Sequence, residues 1–361
     1  MLKQQKIFFD FLRFSIGSAK EIPDSLKEAD WKELYRIAQK QSLVGILFDG
    51  IKKLPTEHVG MKKELLLQWM AESQMLEKAN VRLNDAAIQV SEWFRKKGFR
   101  TCILKGQGNA LMYPNPYSRT PGDIDIWVEG DDKRVISFVR SISPHEKACY
   151  HHIEFPSYKG VEVEVHYRPS FLLCFWHNRK LQKYYERVKE EQFSHRVMLG
   201  EQGEIAIPTV EFNLIFQLTH IYAHLMNEGI GLRQLLDYYY ILISDDLLLI
   251  RDRVQKELKE LGLWKFAGAI MYIMQVVFGM PASRLIVPPN EKYGRFVLNE
   301  VLEAGNFGKH DERNRFGKSK LGHNFQRVYR DMRLVRYFPA EALSEPFFRV
   351  WHFFWRLKHR R

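Results

Sequence analysis

The first hundred positions carry apolar residues at a helical period. Phe8, Phe9, Phe11, Leu12 and Ile16 form one stripe, and Trp31, Leu34, Ile37, Ala38, Leu43, Ile46 and Leu47 form a second. Residues 61–97 continue the pattern as one long helix, which Gly98 ends directly after the basic run Arg95-Lys96-Lys97. At residues 99–104 the pattern changes to a short buried strand that runs into Lys105-Gly106-Gln107-Gly108-Asn109. A proline-rich loop, residues 113–122, then leads to the strand Gly122-Asp123-Ile124-Asp125-Ile126-Trp127-Val128. Residues 131–141 read as a helix, and 151–156 and 161–167 as an antiparallel pair joined by Ser157-Tyr158-Lys159-Gly160. Helical periodicity returns at Thr209, breaks at Asn227-Glu228-Gly229-Ile230-Gly231, and resumes at 232–237, 247–261, 265–278 and 291–302. A small mixed sheet between helical stretches is an α+β pattern.

The alternation also places chemistry. Successive strand side chains face opposite ways, so Asp123 and Asp125 share one face, as do Glu162, Glu164 and His166 of the later strand. Carboxylates gathered this closely repel one another, which calls for a cation among them. Oxygen donors suit Mg2+ or Mn2+ rather than zinc. Three carboxylates on adjacent strands are what a two-metal phosphoryl or nucleotidyl transfer uses. The Lys105–Asn109 segment fits either a phosphate cradle, in which backbone N–H groups face an anion, or a plain strand-to-helix turn. Arg119 reads equally as a phosphate clamp or as a loop cation paired with a nearby carboxylate.

Composition narrows the class. The chain has 361 residues, 45% hydrophobic, 27% charged and 14% aromatic, which describes a folded protein of one large or two ordinary domains. Its three cysteines, Cys102, Cys149 and Cys174, are odd in number and lack metal-ligand spacing, which argues against a disulfide framework and for a reducing compartment. No signal-like N-terminus and no uncharged run of about 20 residues is present, which predicts a cytoplasmic chain without a transmembrane segment. The net charge of +12 points to an anionic partner. It is concentrated after residue 306, where 14 Lys and Arg stand against 5 Asp and Glu.

Lys105-Gly106, Tyr113-Pro114, Arg119, Gly122-Asp123-Ile124-Asp125 and Glu164-Val165-His166 occur in an order that resembles the nucleotidyltransferase superfamily of the polymerase-beta type. More narrowly they resemble its bacterial family of uncharacterised nucleotidyltransferases, in which a Lys-Gly turn, an Arg-x-x-Gly-Asp-x-Asp strand and a Glu-x-His strand recur. His220 to His224 and Gly229 to Asp237 are similar to that family's second half. The resemblance implies a nucleotidyltransferase core at 99–207, an N-terminal helical region at 1–98 packing on it, and a C-terminal helical domain at 208–361. It also implies metal-dependent transfer of a nucleoside monophosphate from an NTP, with Asp123, Asp125 and Glu164 as catalytic metal ligands. Glu164 is preferred over Glu162 because the Glu-x-His pattern places it, and His166 stands behind the metal ligands. Lys105, Gly106, Gln107, Arg119, Arg233 and Asp237 are the expected nucleotide contacts. The turn departs from the superfamily in having Gln107 where a glycine or serine is usual.

Other features carry two readings each. His220 and His224 have zinc-ligand spacing on one helix face, yet lack the following glutamate of metalloproteases and fit packed histidines as well. Arg233 and Asp237, four apart, either pair with each other or contact nucleotide. The tail, residues 346–361, carries aromatics on nearly every side. It reads as a terminal helix docked on the body or as a peripheral contact with an anionic membrane or nucleic acid. The acceptor stays open among protein, sugar, small molecule and RNA. A non-catalytic nucleotide- or partner-binding module of the same fold is the alternative to an enzyme.

Overall fold

A computed structural model, which describes residues 3–55, 60–201, 203–308, 311, 313 and 320–359, places strand β2 (Ile124–Val128) inside a four-stranded sheet. Its neighbours are β1 (Thr101–Ile103), antiparallel, and β4 (Val161–His166), parallel; β3 (His152–Tyr158) closes the far edge antiparallel to β4. Every residue of β2 is buried because both sheet faces are covered. Ile124, Ile126 and Val128 join Val163 and Val165 of β4 in a cluster with the long helix α4 (Lys63–Lys96), through Ala87, Val90 and Phe94. Trp127 faces the other way, onto Phe193 and Phe212, at ring-centroid distances of 4.7 and 5.8 Å. Asp125 shares the face of Trp127. The crossover from β2 to the β3–β4 hairpin is α6 (Asp132–Ile142), started by the Asp131 side chain accepting from Arg134 N. The hairpin turns at Lys159 and Gly160, both at positive φ (53° and 79°), the geometry that suits two-residue hairpin turns.

Helices surround this sheet. α1 (Lys3–Ile16), α2 (Trp31–Gln41) and α3 (Val44–Lys52) share one continuous apolar cluster with α8 (Val210–Asn227), α9 (Leu232–Leu242), α11 (Trp264–Phe278) and α12 (Glu291–Ala304). The second apolar stripe of the sequence is divided between α2 and α3 at Ser42, which adopts left-handed backbone (φ 56°). Its carbonyl accepts from Thr120 and its hydroxyl from Asn306, at 2.8 Å each. Arg13 of α1 donates to the carbonyls of Val276 and Val277, satisfying acceptors left open at the end of α11. α4 runs about 50 Å at 1.5 Å per residue. Its Trp69 indole donates to Val44 O at 2.9 Å, and its second half roofs the sheet, so one rod ties the N-terminal helices to the core.

Residues 169–207 announce no element by periodicity, yet contain α7 (Phe175–Ser194) and the small hairpin β5 (Arg196–Met198) with β6 (Glu204–Ala206). The inward face of α7 includes the polar Asn178 and Gln192, which breaks its apolar stripe. The remaining helices are the short α5 (Gln107–Ala110), then α10 (Leu247–Glu260), α13 (Lys320–Leu334) and α14 (Pro339–Lys358). Met1, Leu2, Arg360 and Arg361, which belong to the terminal readings above, lie outside the described residues. Among the described residues no helix is long and apolar enough to cross a membrane.

One contact fixes the loop that precedes β2. A Cβ on Gly45 of α3 would lie 2.3 Å from the Ser118 carbonyl oxygen, so helix and loop touch backbone to backbone. Gly45→Ala is expected to force them apart at about 1–3 kcal/mol, seen as a lowered thermal-unfolding midpoint.

Candidate active site

The parallel register of β2 and β4 sets Asp125 beside Glu164, and Asp123 enters the same space just before β2 begins. One oxygen from each of the three carboxylates lies within 4.8 Å of the others. Asp125 is 2% exposed, whereas Glu162, on the same strand face as Glu164, is exposed and lies outside the cavity lining. Two cations offset the buried charge. The Lys105 ammonium, delivered by the turn after β1, is 3.0 Å from Asp125 Oδ2 and 3.3 Å from His220 Nε2. His166 Nε2 is 3.0 Å from Asp125 Oδ1 and 3.4 Å from Glu164 Oε2. Asp125 Oδ2 is buried and meets the Lys105 ammonium as an ion pair.

These contacts set the protonation states. Burial opposes charge on His166, but hydrogen bonds from its ring to Asp125 and Glu164 outweigh it and raise the imidazole to about 9. Burial likewise opposes ionisation of Glu164, yet His166 and His152 hold it down to about 2. For Asp125, burial is outweighed by Lys105 and His166, and the carboxyl lies below its ordinary value. Lys105 is raised, since Asp125, Asp123 and Glu164 together exceed its desolvation. Burial pushes His151 and His220 well below the ordinary imidazole value and His152 to about 4, so these three are neutral near pH 7.

The carboxylates open into a cavity of about 510 Å³, a size that suits a small-molecule ligand. His220 and His224 of α8 form one wall, and Glu345, Phe348, Arg349 and His352 of α14 form another. Behind the carboxylates lies a cleft of about 20 Å³, large enough for little more than one water. Arg119, Arg233, Asp237 and Gly106 line this cleft and not the larger cavity. Arg119 and Asp237 are paired there at 2.8 Å through guanidinium Nε and Nη2 and both carboxylate oxygens, each side chain at most 4% exposed. Tyr113 O–H adds a 2.6 Å bond to Asp237, Arg233 donates to Thr120 O at 3.0 Å, and Asn80 of α4 donates to the carbonyls of Tyr117 and Arg119. The whole loop before Asp123 is thereby held from two helices, α4 and α9. Gly106 has φ 62° and ψ −109°, a backbone state side-chain-bearing residues avoid. The Gln107 side chain turns away into α4, where it donates to Asn84, and Gln107 lines neither the cavity nor the cleft.

The structure thus gathers Lys105, Asp123, Asp125 and Glu164 around one cavity and sets Arg119, Arg233 and Asp237 behind it. Sequence reasoning passed over His151 and His152 on the far strand and Arg349 and His352 on α14. Two signals mark them: the His-His pair stands opposite His166 in an antiparallel hairpin, and Glu345, Arg349 and His352 form a polar stripe at spacing 4 and 3 within an aromatic helix. His220 and His224 line the cavity, with His220 facing Lys105; no metal-holding group among the described residues contains either. The all-oxygen donor set of Asp123, Asp125 and Glu164 fits a hard divalent cation such as Mg2+ or Mn2+.

Comparison with known proteins supplies a family. A family model described as uncharacterised nucleotidyltransferase matches residues 27–279. A solved structure, that of an antigenic nucleotidyltransferase-like protein from Paracoccidioides brasiliensis, is similar over 53% of this chain and 91% of that chain. Its identity is 13% and its TM-score 0.28, a likeness too slight to bear on mechanism. No protein of curated function matches the chain.

The charge pattern predicts a pH dependence in metal-free protein. His166, raised from 6.5 to about 9, contributes stability that is complete below 6.5 and is lost as pH rises through 9. Glu164, lowered from 4.5 to about 2, contributes stability complete above 4.5 and lost as pH falls through 2. Thermal unfolding midpoints are expected to fall between pH 6.5 and 9, and His166→Gln to remove that part of the decline.

Proposed function

On the premise that this chain belongs to the uncharacterised nucleotidyltransferase family, we propose that it is a metal-dependent enzyme of the polymerase-beta type. It moves a nucleoside monophosphate from an NTP to an acceptor that is a protein, sugar, small molecule or RNA. The convergence of Asp123, Asp125 and Glu164 on one cavity carries this reading. These residues would hold Mg2+ or Mn2+, which when bound neutralises triphosphate charge and activates the acceptor oxygen. The acceptor oxygen bonds to the α-phosphorus and pyrophosphate leaves.

The chain's own residues prepare that step. His166 holds Asp125 Oδ1 and so fixes the orientation of the carboxylate, leaving Oδ2 for the cation. Lys105, now paired with Asp125, is free to swing its charge to phosphate once a cation takes its place. Gly106, at φ 62°, forms the turn that delivers Lys105 to the carboxylates. Arg119, Arg233 and Asp237 act on nucleotide indirectly, by holding the loop that ends at Asp123. Arg327 of α13 adds positive charge to the cavity lining, whereas Arg349 of α14 is paired there with Glu345.

The test is turnover of α-labelled NTP with Mg2+ or Mn2+ in the presence of fractionated cell extract, which also identifies the acceptor class. Asp123→Asn and Asp125→Asn are expected to lower transfer by about 100-fold or more while the unfolding transition persists. Turnover that is indifferent to both substitutions sinks the enzyme reading. Nucleotide binding without turnover across all acceptor pools makes the chain a binding module instead, consistent with a turn whose Gln107 side chain faces inward.

The terminal helix favours a further contact. α14 docks its inner face on the core, where Phe348 stacks on Phe171 at 5.1 Å. Its outer face exposes Leu343, Phe347, Val350, Phe354 and Leu357 at spacing 4, 3, 4, 3, a narrow apolar stripe. The acidic residues of α14, Glu341 and Glu345, are buried, whereas Arg356 and Lys358 are exposed, so the outward charge is positive. This combination suits an anionic lipid surface, and a second copy of the helix would meet it with like charge. Sedimentation with phosphatidylserine-containing vesicles is expected to exceed that with phosphatidylcholine alone and to weaken with salt. It should fall several-fold in Phe347→Ser/Phe354→Ser.

A further inference from the structure

The active cavity contains a second donor set that oxygen-based chemistry does not use. His152 and His166 are directly opposed across the β3–β4 pair, and Glu164, two residues before His166, shares their face. His152 Nδ1 is 3.5 Å and His166 Nε2 3.4 Å from the same oxygen, Glu164 Oε2, and the two ring nitrogens lie within 4.8 Å of each other. In a tetrahedral site with metal–ligand bonds of about 2.0–2.1 Å, neighbouring donors stand about 3.3–3.4 Å apart. Both edges that meet at Glu164 therefore have the length such a site requires.

The surroundings match as well. The other nitrogen of His166, Nδ1, lies 3.3 Å from the Arg168 carbonyl and donates to it. A backbone acceptor on the far side of the ring is the arrangement that fixes a metal-bound imidazole in its tautomer. His151 Nε2 stands 3.0 Å from His152 Nδ1, and both histidines line the cavity. Two imidazoles and one carboxylate with an open position form a borderline donor set, selective for zinc-class ions over Mg2+.

We infer that His152, Glu164 and His166 bind one zinc-class ion, which takes the place of the contacts that His166 Nε2 makes to Asp125 Oδ1 and His152 Nδ1 to His151 Nε2 in the metal-free chain, distinct from the hard-cation set of Asp123, Asp125 and Glu164 and joined to it through Glu164. The two donor sets differ in hardness and share one carboxylate, so an ion in the histidine set draws Glu164 away from the oxygen set. The inference shares Glu164 with the proposed transfer site but does not rest on transfer activity.

The test uses the full chain, stripped with chelator and titrated with Zn2+ alone, without nucleotide, by equilibrium dialysis. The expected result is one equivalent bound, with affinity lowered about 100-fold by His152→Gln and unchanged by Asp123→Asn. Co2+ in place of Zn2+ should give the visible ligand-field absorption of a low-coordinate site, lost in His152→Gln. Absence of uptake overturns the inference, as does uptake indifferent to His152→Gln. Uptake that falls equally with Asp123→Asn overturns it too, because the ion would then sit among the carboxylates. His166→Gln serves as a second ligand variant. A thermal melt of His152→Gln, a substitution at a partly exposed position, checks that the variant is folded, so that loss of binding reports the site.

Discussion

A carboxylate that is 2% exposed cannot stand alone, and the arrangement around Asp125 follows from that. Moving a charge out of water costs several kcal/mol unless partners replace the solvent. Lys105 and His166 replace it from opposite sides, one from the end of β1 and one from the end of β4. Both partners depend on the sheet order β1-β2-β4-β3, which puts β2 between the strands that deliver them. A register slip of one residue in β4 would turn Glu164 and His166 into the α4 cluster and bring Val165 to the cavity. The valines at 163 and 165 resist that slip, so apolar packing on one sheet face holds the ionic geometry on the other.

Much of this is legible in the residues themselves. Period-2 alternation is enough to put Asp123 and Asp125 on one face and Glu164 with His166 on another strand, and the long α4, the β3–β4 hairpin and the later helices follow from periodicity and turn residues. What escapes is whatever depends on contacts far apart in the chain. The break at Ser42 arises because residues 120 and 306 hydrogen-bond there. α7 hides because its inward face carries Asn178 and Gln192, whose amides bond to Tyr150, Val188 and the backbone of Leu172 and Thr209. Arg119 has no local sign of its partner, since Asp237 is brought to it by the packing of α9. His152 is inconspicuous until β3 folds against β4. The tail's two readings meet in one helix, because its inner and outer faces differ and a linear sequence with aromatics all round does not say which side is covered.

The cavity is built from elements of unlike rigidity. Its floor is a sheet packed on both faces; its far wall is α14, which rests on aromatic contacts such as Phe348 with Phe171 and Tyr150, and on the buried Glu341, which accepts from the backbone N–H groups of Leu173 and Cys174. That last bond ties α14 to the start of α7 and so couples the wall to the aromatic layer beneath Trp127. Charge differs as well: three carboxylates gather on the floor, whereas on the wall Arg349 is paired with Glu345.

The Arg119–Asp237 pair has a consequence for the history of the chain. Its members are separated by 118 positions, and Tyr113 completes the set. Substituting either ion alone strands the other in a cleft that admits about one water, at a cost of about 3–5 kcal/mol. Single steps away from the pair are therefore closed to drift, while concerted replacement of both by packed apolar residues is not. Descendants of this sequence should change positions 119 and 237 together or leave them alone, and a set of related chains would show the two positions covarying.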